Sequence, residues 1–155
     1  MEISTDPLAA LSEAESLLTA GPGEGVMVEL ANRLIAIYDS SCWSAGDRER
    51  AAQLASVLAS RSNAVLDLVI GNAQRYGKLQ HIDDAFPYCP NSFDVLAMIA
   101  DPHEKTIRFL HRVIAEDCGT PQAHARDTLF KLGLGTKRDM LEGAIGRCGE
   151  TPRAA

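Results

Sequence analysis

The sequence predicts an all-α fold of about eight short antiparallel helices. Three observations carry this. Alanine and leucine dominate, while valine, isoleucine and aromatic residues are modest, a balance that favours helix over sheet. Apolar residues recur three and four positions apart along most of the chain, and no segment alternates convincingly as a half-buried strand does. The periodic runs are punctuated by Asp6-Pro7, Asp101-Pro102 and Thr120-Pro121, in which a capping side chain precedes a proline, and by glycine stops. With 46% hydrophobic and 23% charged residues, a chain of 155 residues can bury a core without staples. One helical domain over 1–147 with a mobile tail over 148–155 is expected.

Asp6-Pro7 opens the first helix, whose apolar stripe is Leu8, Leu11, Ala14 and Leu18, and Gly21-Pro22-Gly23 ends it. The second runs from about Glu24 to Asp39. Val26, Met27, Leu30, Leu34, Ile37 and Tyr38, widened by Ile35, make it the most apolar and place it in the centre of the core. A loop holding Trp43 follows. The third helix is expected to start near Asp47, with Leu54, Val57 and Leu58 as its stripe. Ser62 with Asn63 caps a fourth, weakened at Gly71 and ended by Tyr76-Gly77.

Residues 77–91 form the longest irregular piece, since Pro87 and Pro90 forbid a regular helix there. Asn91 or Ser92 then caps a short helix. Asp101-Pro102-His103-Glu104 predicts a further helix capped at Asp101, with Ile107, Leu110 and Ile114 facing the core and Glu104 paired with Arg108. Thr120-Pro121 opens the next, and Thr136 to Asp139 caps a last, weak helix. The pair beginning at Asp101-Pro102 and Thr120-Pro121, closed by Leu129-Phe-Lys-Leu-Gly-Leu-Gly135, resembles a HEAT-like helical hairpin over about 35 residues. That resemblance implies stacked α–α hairpins presenting a protein-binding surface. No second copy recurs at a fixed period, and an irregular orthogonal bundle is the alternative.

The net charge of −6 excludes a global attraction to nucleic acid or anionic lipid. Cys42, Cys89, Cys118 and Cys148 match no Cys-x-x-Cys spacing, and no apolar run of 18 residues occurs. Met1-Glu2 opens no secretory signal, so a cytoplasmic protein with reduced thiols is expected.

His81, Asp83, Asp84, Cys89, His103, His111, Cys118 and His124 are metal-capable residue types within 44 residues, yet no His-Glu-x-x-His or Glu-x-x-His spacing joins them. His111 falls on the apolar stripe and is expected to be a buried, hydrogen-bonded histidine. His103 and His124 sit in first turns and are expected at the surface. His81 is the strongest candidate for chemistry, because Asp83 and Asp84 follow it and a carboxylate orients an imidazole. Cys89 precedes Pro90 and a helix N-terminus, an environment that lowers a thiol pKa, although a structural role is the commoner fate of such a cysteine. Gly21-Pro22-Gly23-Glu24-Gly25 lacks the strand and the Gly-Lys-Ser/Thr of a phosphate loop.

Trp43, Tyr76, Phe86 and Tyr88 lie in or beside irregular segments, where aromatics serve as partner anchors or as lids over a core. The expected function is a non-catalytic protein–protein interaction module (an adaptor, a chaperone-like protein or a regulatory subunit) that presents a surface built from helical hairpins and the 77–91 loop. It needs no cofactor and binds another protein, with a homodimer as one arrangement, rather than nucleic acid or membrane. The alternative is a small metal- or thiol-dependent enzyme built on His81, Asp83, Asp84 and Cys89.

Overall fold

The computed structural model describes residues 6–40, 43–78, 91–117 and 119–145. They form eight helices in chain order: α1 (Pro7–Ala20), α2 (Glu24–Tyr38), α3 (Ala45–Arg61), α4 (Asn63–Lys78), α5 (Ser92–Ala97), α6 (Glu104–Glu116), α7 (Thr120–Lys131) and α8 (Lys137–Ile145). No strand occurs among the described residues, so the all-α expectation holds.

Helices α1 to α4 pack on one another around α2, and α6, α7 and α8 pack in sequence. The six-residue α5 touches α3 and α4 on one side and α7 on the other, so it joins the two groups. Helix α6 also reaches α4 through an ion pair between Lys105 and Asp67 at 2.9 Å. The core is continuous across the join. Leu30 and Leu34 of α2, Leu58 of α3, Val65 of α4, Leu96 of α5 and Leu110 of α6 are all fully buried.

Helix α2 is as apolar and as central as its sequence implies, with Leu30, Ala31, Leu34, Ile35, Ile37 and Tyr38 buried. Helix α3 departs from expectation. It begins at Ala45, where Ser44 Oγ accepts from the Asp47 amide and donates to its carboxylate. Its buried face is alanine-rich (Ala51, Ala52, Ala55, Ala59, with Leu58), while Leu54 is half-buried and Val57 is exposed. Small side chains let helix backbones approach closely, so here the packing face is not marked by bulk. Helix α4 is capped by Ser62, whose Oγ accepts from the Val65 amide at 3.2 Å. It continues through Gly71 to Lys78, past the predicted stop. A glycine inside a helix costs about 1 kcal/mol relative to alanine. Burial of Val69, Ile70, Asn72 and Ala73 on either side outweighs that cost.

Asn91 caps α5 in a reciprocal box. Its Oδ1 accepts from the amides of Phe93 and Asp94, and Asp94 Oδ2 accepts from the Asn91 amide. The start of α6 corrects the Asp101-Pro102 reading. The cap is His103, whose Nδ1 accepts from the Lys105 amide at 3.0 Å. An imidazole Nδ1 lies as many bonds from its own backbone as an asparagine Oδ1, so it fills the capping position equally well.

The face of α6 is also rotated from the expected one. Thr106, Phe109, Leu110 and Val113 are buried, Ile107 and Ile114 are only half-buried, and His111 is exposed rather than buried. At 100° per residue, 106, 109, 110 and 113 share one direction, and His111 points more than 90° away from it. The Glu104–Arg108 ion pair forms as predicted. Gly119, at φ +65°, turns the chain into α7 with Pro121 in its first turn, and Thr136 with Asp139 caps α8.

Candidate functional site

Three features stand out: a buried polar centre, an aromatic ladder beside it, and a set of exposed apolar side chains at the C-terminal end.

The polar centre forms where the end of α2, the middle of α4 and the start of α5 meet. Ser92 follows the Asn91 cap, which turns it into the interior, where it is fully buried. Its Oγ lies 2.7 Å from Tyr38 Oη and accepts from Asn72 Nδ2 at 2.7 Å. The same Asn72 amide donates to Asp39 Oδ2 at 2.9 Å, and Arg75 Nη2 donates to Asn72 Oδ1 at 3.1 Å. Arg48, buried on α3, donates through Nε and Nη2 to the Tyr38 carbonyl at 3.0 and 2.8 Å. That carbonyl lies in the last turn of α2, where the intrahelical ladder supplies no donor.

Burial raises the Tyr38 hydroxyl well above its ordinary pKa, against the opposing effect of the Ser92 hydrogen bond. Burial also raises Asp39, while the Asn72 bond and the charges of Arg48 and Arg75 lower it. Neither Tyr38 nor Asn72 is a base suited to take the Ser92 proton, and nucleophilic serines require such a base. Among the described residues the centre ties α2, α4 and α5 together and offers Ser92 no such base.

The ladder begins one residue later. The Phe93 ring stacks on Phe109 of α6 (centroids 5.9 Å apart, planes at 23°) and on His124 of α7 (5.6 Å, 15°). The Arg112 guanidinium lies 5.7 Å from the Phe109 centroid. A cleft of about 290 Å³ opens beside it, with Phe93 and Phe109 as floor and Gln74, Arg112, Glu116 and Asp117 at the rim. Both floor rings are buried, so the accessible part of the cleft is its polar rim. His124 corrects the expectation of a surface histidine: it is half-buried, and burial lowers its pKa against the opposing pull of Asp94 and Asp127.

At the C-terminal end, Phe130 (38% exposed), Leu134 (48%) and Leu141 (50%) present apolar side chains to solvent. Phe130 is in the last turn of α7, Leu134 in the turn that follows, and Leu141 in α8, which packs on α7.

Of the residues singled out from the sequence, Trp43 is half-buried against the core. Tyr76 lies near the end of α4, and its side chain is outside the described residues, as are His81, Asp83, Asp84, Phe86, Tyr88 and Cys89. Cys42, Cys118 and Cys148 are outside them too. Among the described residues, no group of three or more His, Cys, Asp and Glu side chains is placed to hold a metal ion. No described helix is long and apolar enough to cross a membrane. Sequence reasoning missed Tyr38, Asn72 and Ser92 as a unit. The available signal was a polar residue inside each apolar run: Asn72 between Ile70 and Ala73, and Ser92 before Phe93.

Comparison with protein-family models, with curated proteins and with solved structures finds no significant match. The fold defines the class, an all-α protein with eight helices among the described residues, and any functional reading rests on the geometry above.

Proposed function

We propose that the protein is a non-catalytic protein–protein interaction module, with α7 and α8 as its binding hairpin and another protein as its partner. The observation that carries this is the exposure of Phe130, Leu134 and Leu141 on the α7–α8 hairpin. Apolar side chains held by a helical scaffold and left in solvent gain their area back when a partner covers them, at roughly 25 cal/mol per Å². The HEAT-like stacking suggested by the sequence belongs to the same proposal, with α6–α7 as one hairpin and α8 extending it.

The test is affinity capture from the native host with the tagged chain, run beside a Leu134→Glu/Leu141→Glu variant. Both positions are exposed, so the variant keeps the fold, which circular dichroism verifies. A partner retained by the wild type and lost from the variant supports the reading. A partner held equally by both, or none held by the wild type, overturns it.

A further inference from the structure

We infer that the start of α6 is a pH-sensitive cap, which the His103 ring holds while its Nδ1 is bare and releases when that nitrogen takes a proton. The geometry is that of a capping side chain. His103 has an extended backbone (φ −65°, ψ 147°), and its Nδ1 accepts from the Lys105 amide at 3.0 Å. A neutral imidazole has one accepting nitrogen, and an imidazolium has none. The capping bond and a proton on Nδ1 therefore exclude each other, whatever the surroundings. Ser44, Ser62 and Asn91, which cap α3, α4 and α5, accept through oxygens that do not titrate.

The cap lies at a joint. Lys105, whose amide the ring holds, also sends its Nζ to Asp67 Oδ1 of α4 at 2.9 Å. Loss of the cap frays the turn that carries this tie between α6 and α4. The amides of Thr106 and Ile107 belong to the same turn, since both donate to the His103 carbonyl, at 2.9 and 3.3 Å.

The ring lines a cavity of about 190 Å³. From α3 and α4 that cavity is lined by Ala59, Ser60, Asn63 and Leu66, which carry no charge. Arg61, beside Ser60, donates to the Leu18 carbonyl of α1. On α6, Glu104 is paired with Arg108 and Lys105 with Asp67. Asp101 lines the same cavity. Its carboxylate draws a proton to the ring but leaves Nδ1 a donor, so it assists the release. The positive end of the α6 dipole disfavours the charged ring at this position. The cap is thus present when the ring is neutral and is lost as pH falls through the range in which an imidazole changes its charge.

The experiment is amide hydrogen exchange on the full chain at pH 7.5 and 5.0, corrected for the intrinsic pH dependence of exchange, for the wild type and for His103→Asn. The asparagine keeps a capping oxygen and does not titrate, and position 103 is exposed, so the fold is kept. In the wild type, exchange at Lys105, Thr106 and Ile107 is expected to quicken about five-fold at pH 5.0, the worth of one cap, with α2 unchanged. His103→Asn is expected to show no such change. An equal change in the variant, or none in the wild type, overturns the cap. Ring nitrogen shifts of the wild type at pH 7.5 give a second reading that needs no variant: a hydrogen on Nδ1 there overturns the inference, and a bare Nδ1 supports it.

Discussion

Replacing Ser92 with alanine tests whether the polar centre holds the helices together. The change removes one oxygen and leaves two buried partners exposed to no substitute. Tyr38 Oη loses the group 2.7 Å away, and Asn72 Nδ2 keeps its bond to Asp39 but loses the one to Ser92. A buried polar group left without a partner costs about 1–3 kcal/mol, so two of them in this partly relaxed setting predict a loss of about 3 kcal/mol. Tyr38→Phe is milder. It deletes a donor and acceptor together, while Ser92 Oγ still accepts from Asn72, and about 1 kcal/mol is expected. The double variant is informative because removing the Tyr38 hydroxyl also removes one of the groups orphaned by Ser92→Ala. Its cost falls short of the sum of the singles by about 1–2 kcal/mol. Urea unfolding at pH 7 reads all three: with a slope of about 2 kcal/mol/M, Ser92→Ala lowers the midpoint by about 1.5 M. Additive effects, or a Tyr38→Phe variant less stable than Ser92→Ala, would refute the reasoning.

Other outcomes follow from the same geometry. Thr106 is buried on α6 and its Oγ1 has no hydrogen-bond partner among the described residues, so Thr106→Val, which swaps the hydroxyl for a methyl, is expected to stabilise by about 1 kcal/mol. Calorimetry would show a melting temperature higher by about 3 °C, and a lower one would mean that the hydroxyl is satisfied in solution. Asp139 is held below the usual carboxylate range by its hydrogen bonds to Thr136. Its contribution to α8 is therefore present above the unfolded pKa of about 3.9 and is lost as pH falls through the folded value. Thr136→Ala should fray α8 already at neutral pH, seen as faster exchange at Met140 and Leu141, and should abolish the further fraying in acid. Metal analysis of protein purified without chelator separates the two functional classes weighed from the sequence. The interaction reading expects no stoichiometric metal, whereas bound metal lost in His81→Ala would establish the alternative.

The class of fold was legible because helix signals are local. Proline and capping residues mark starts, glycines mark stops, and the eight segments follow from them with boundaries shifted by a few residues. Orientation about each helix axis was less legible. In α6, Ile107 and Ile114 outweighed Thr106 and Val113 on the page, yet the latter pair faces the core, because a threonine reads as polar until its neighbours are known. In α3 the packing face is alanine, whose small side chain gives no bulk signal. The polar centre left only single polar residues beside apolar ones as its mark. Tyr38 and Asn72 lie 54 and 20 residues from Ser92, and nothing in a single chain states that they meet. His103 is at the surface as expected, with a capping role the sequence did not show, whereas His124 is a half-buried stacked ring; both roles depend on where a helix begins or a neighbouring one lies.

The position of α5 also bears on how the chain folds. Six residues are too few to hold a helix alone, so α5 exists only where its neighbours support it. Those supports are remote: its side chains and backbone bond to Tyr38, Asn72 and Thr128, which lie 54, 20 and 35 residues away along the chain. The pairs α2–α3 and α6–α7, by contrast, close across short loops and can form early. Contacts of this separation are expected to form late in folding. Weakening α5, for example by Ser92→Ala, is then expected to speed unfolding more than it slows folding, so that a six-residue helix would set how long the native state lasts; stopped-flow kinetics reads both rates.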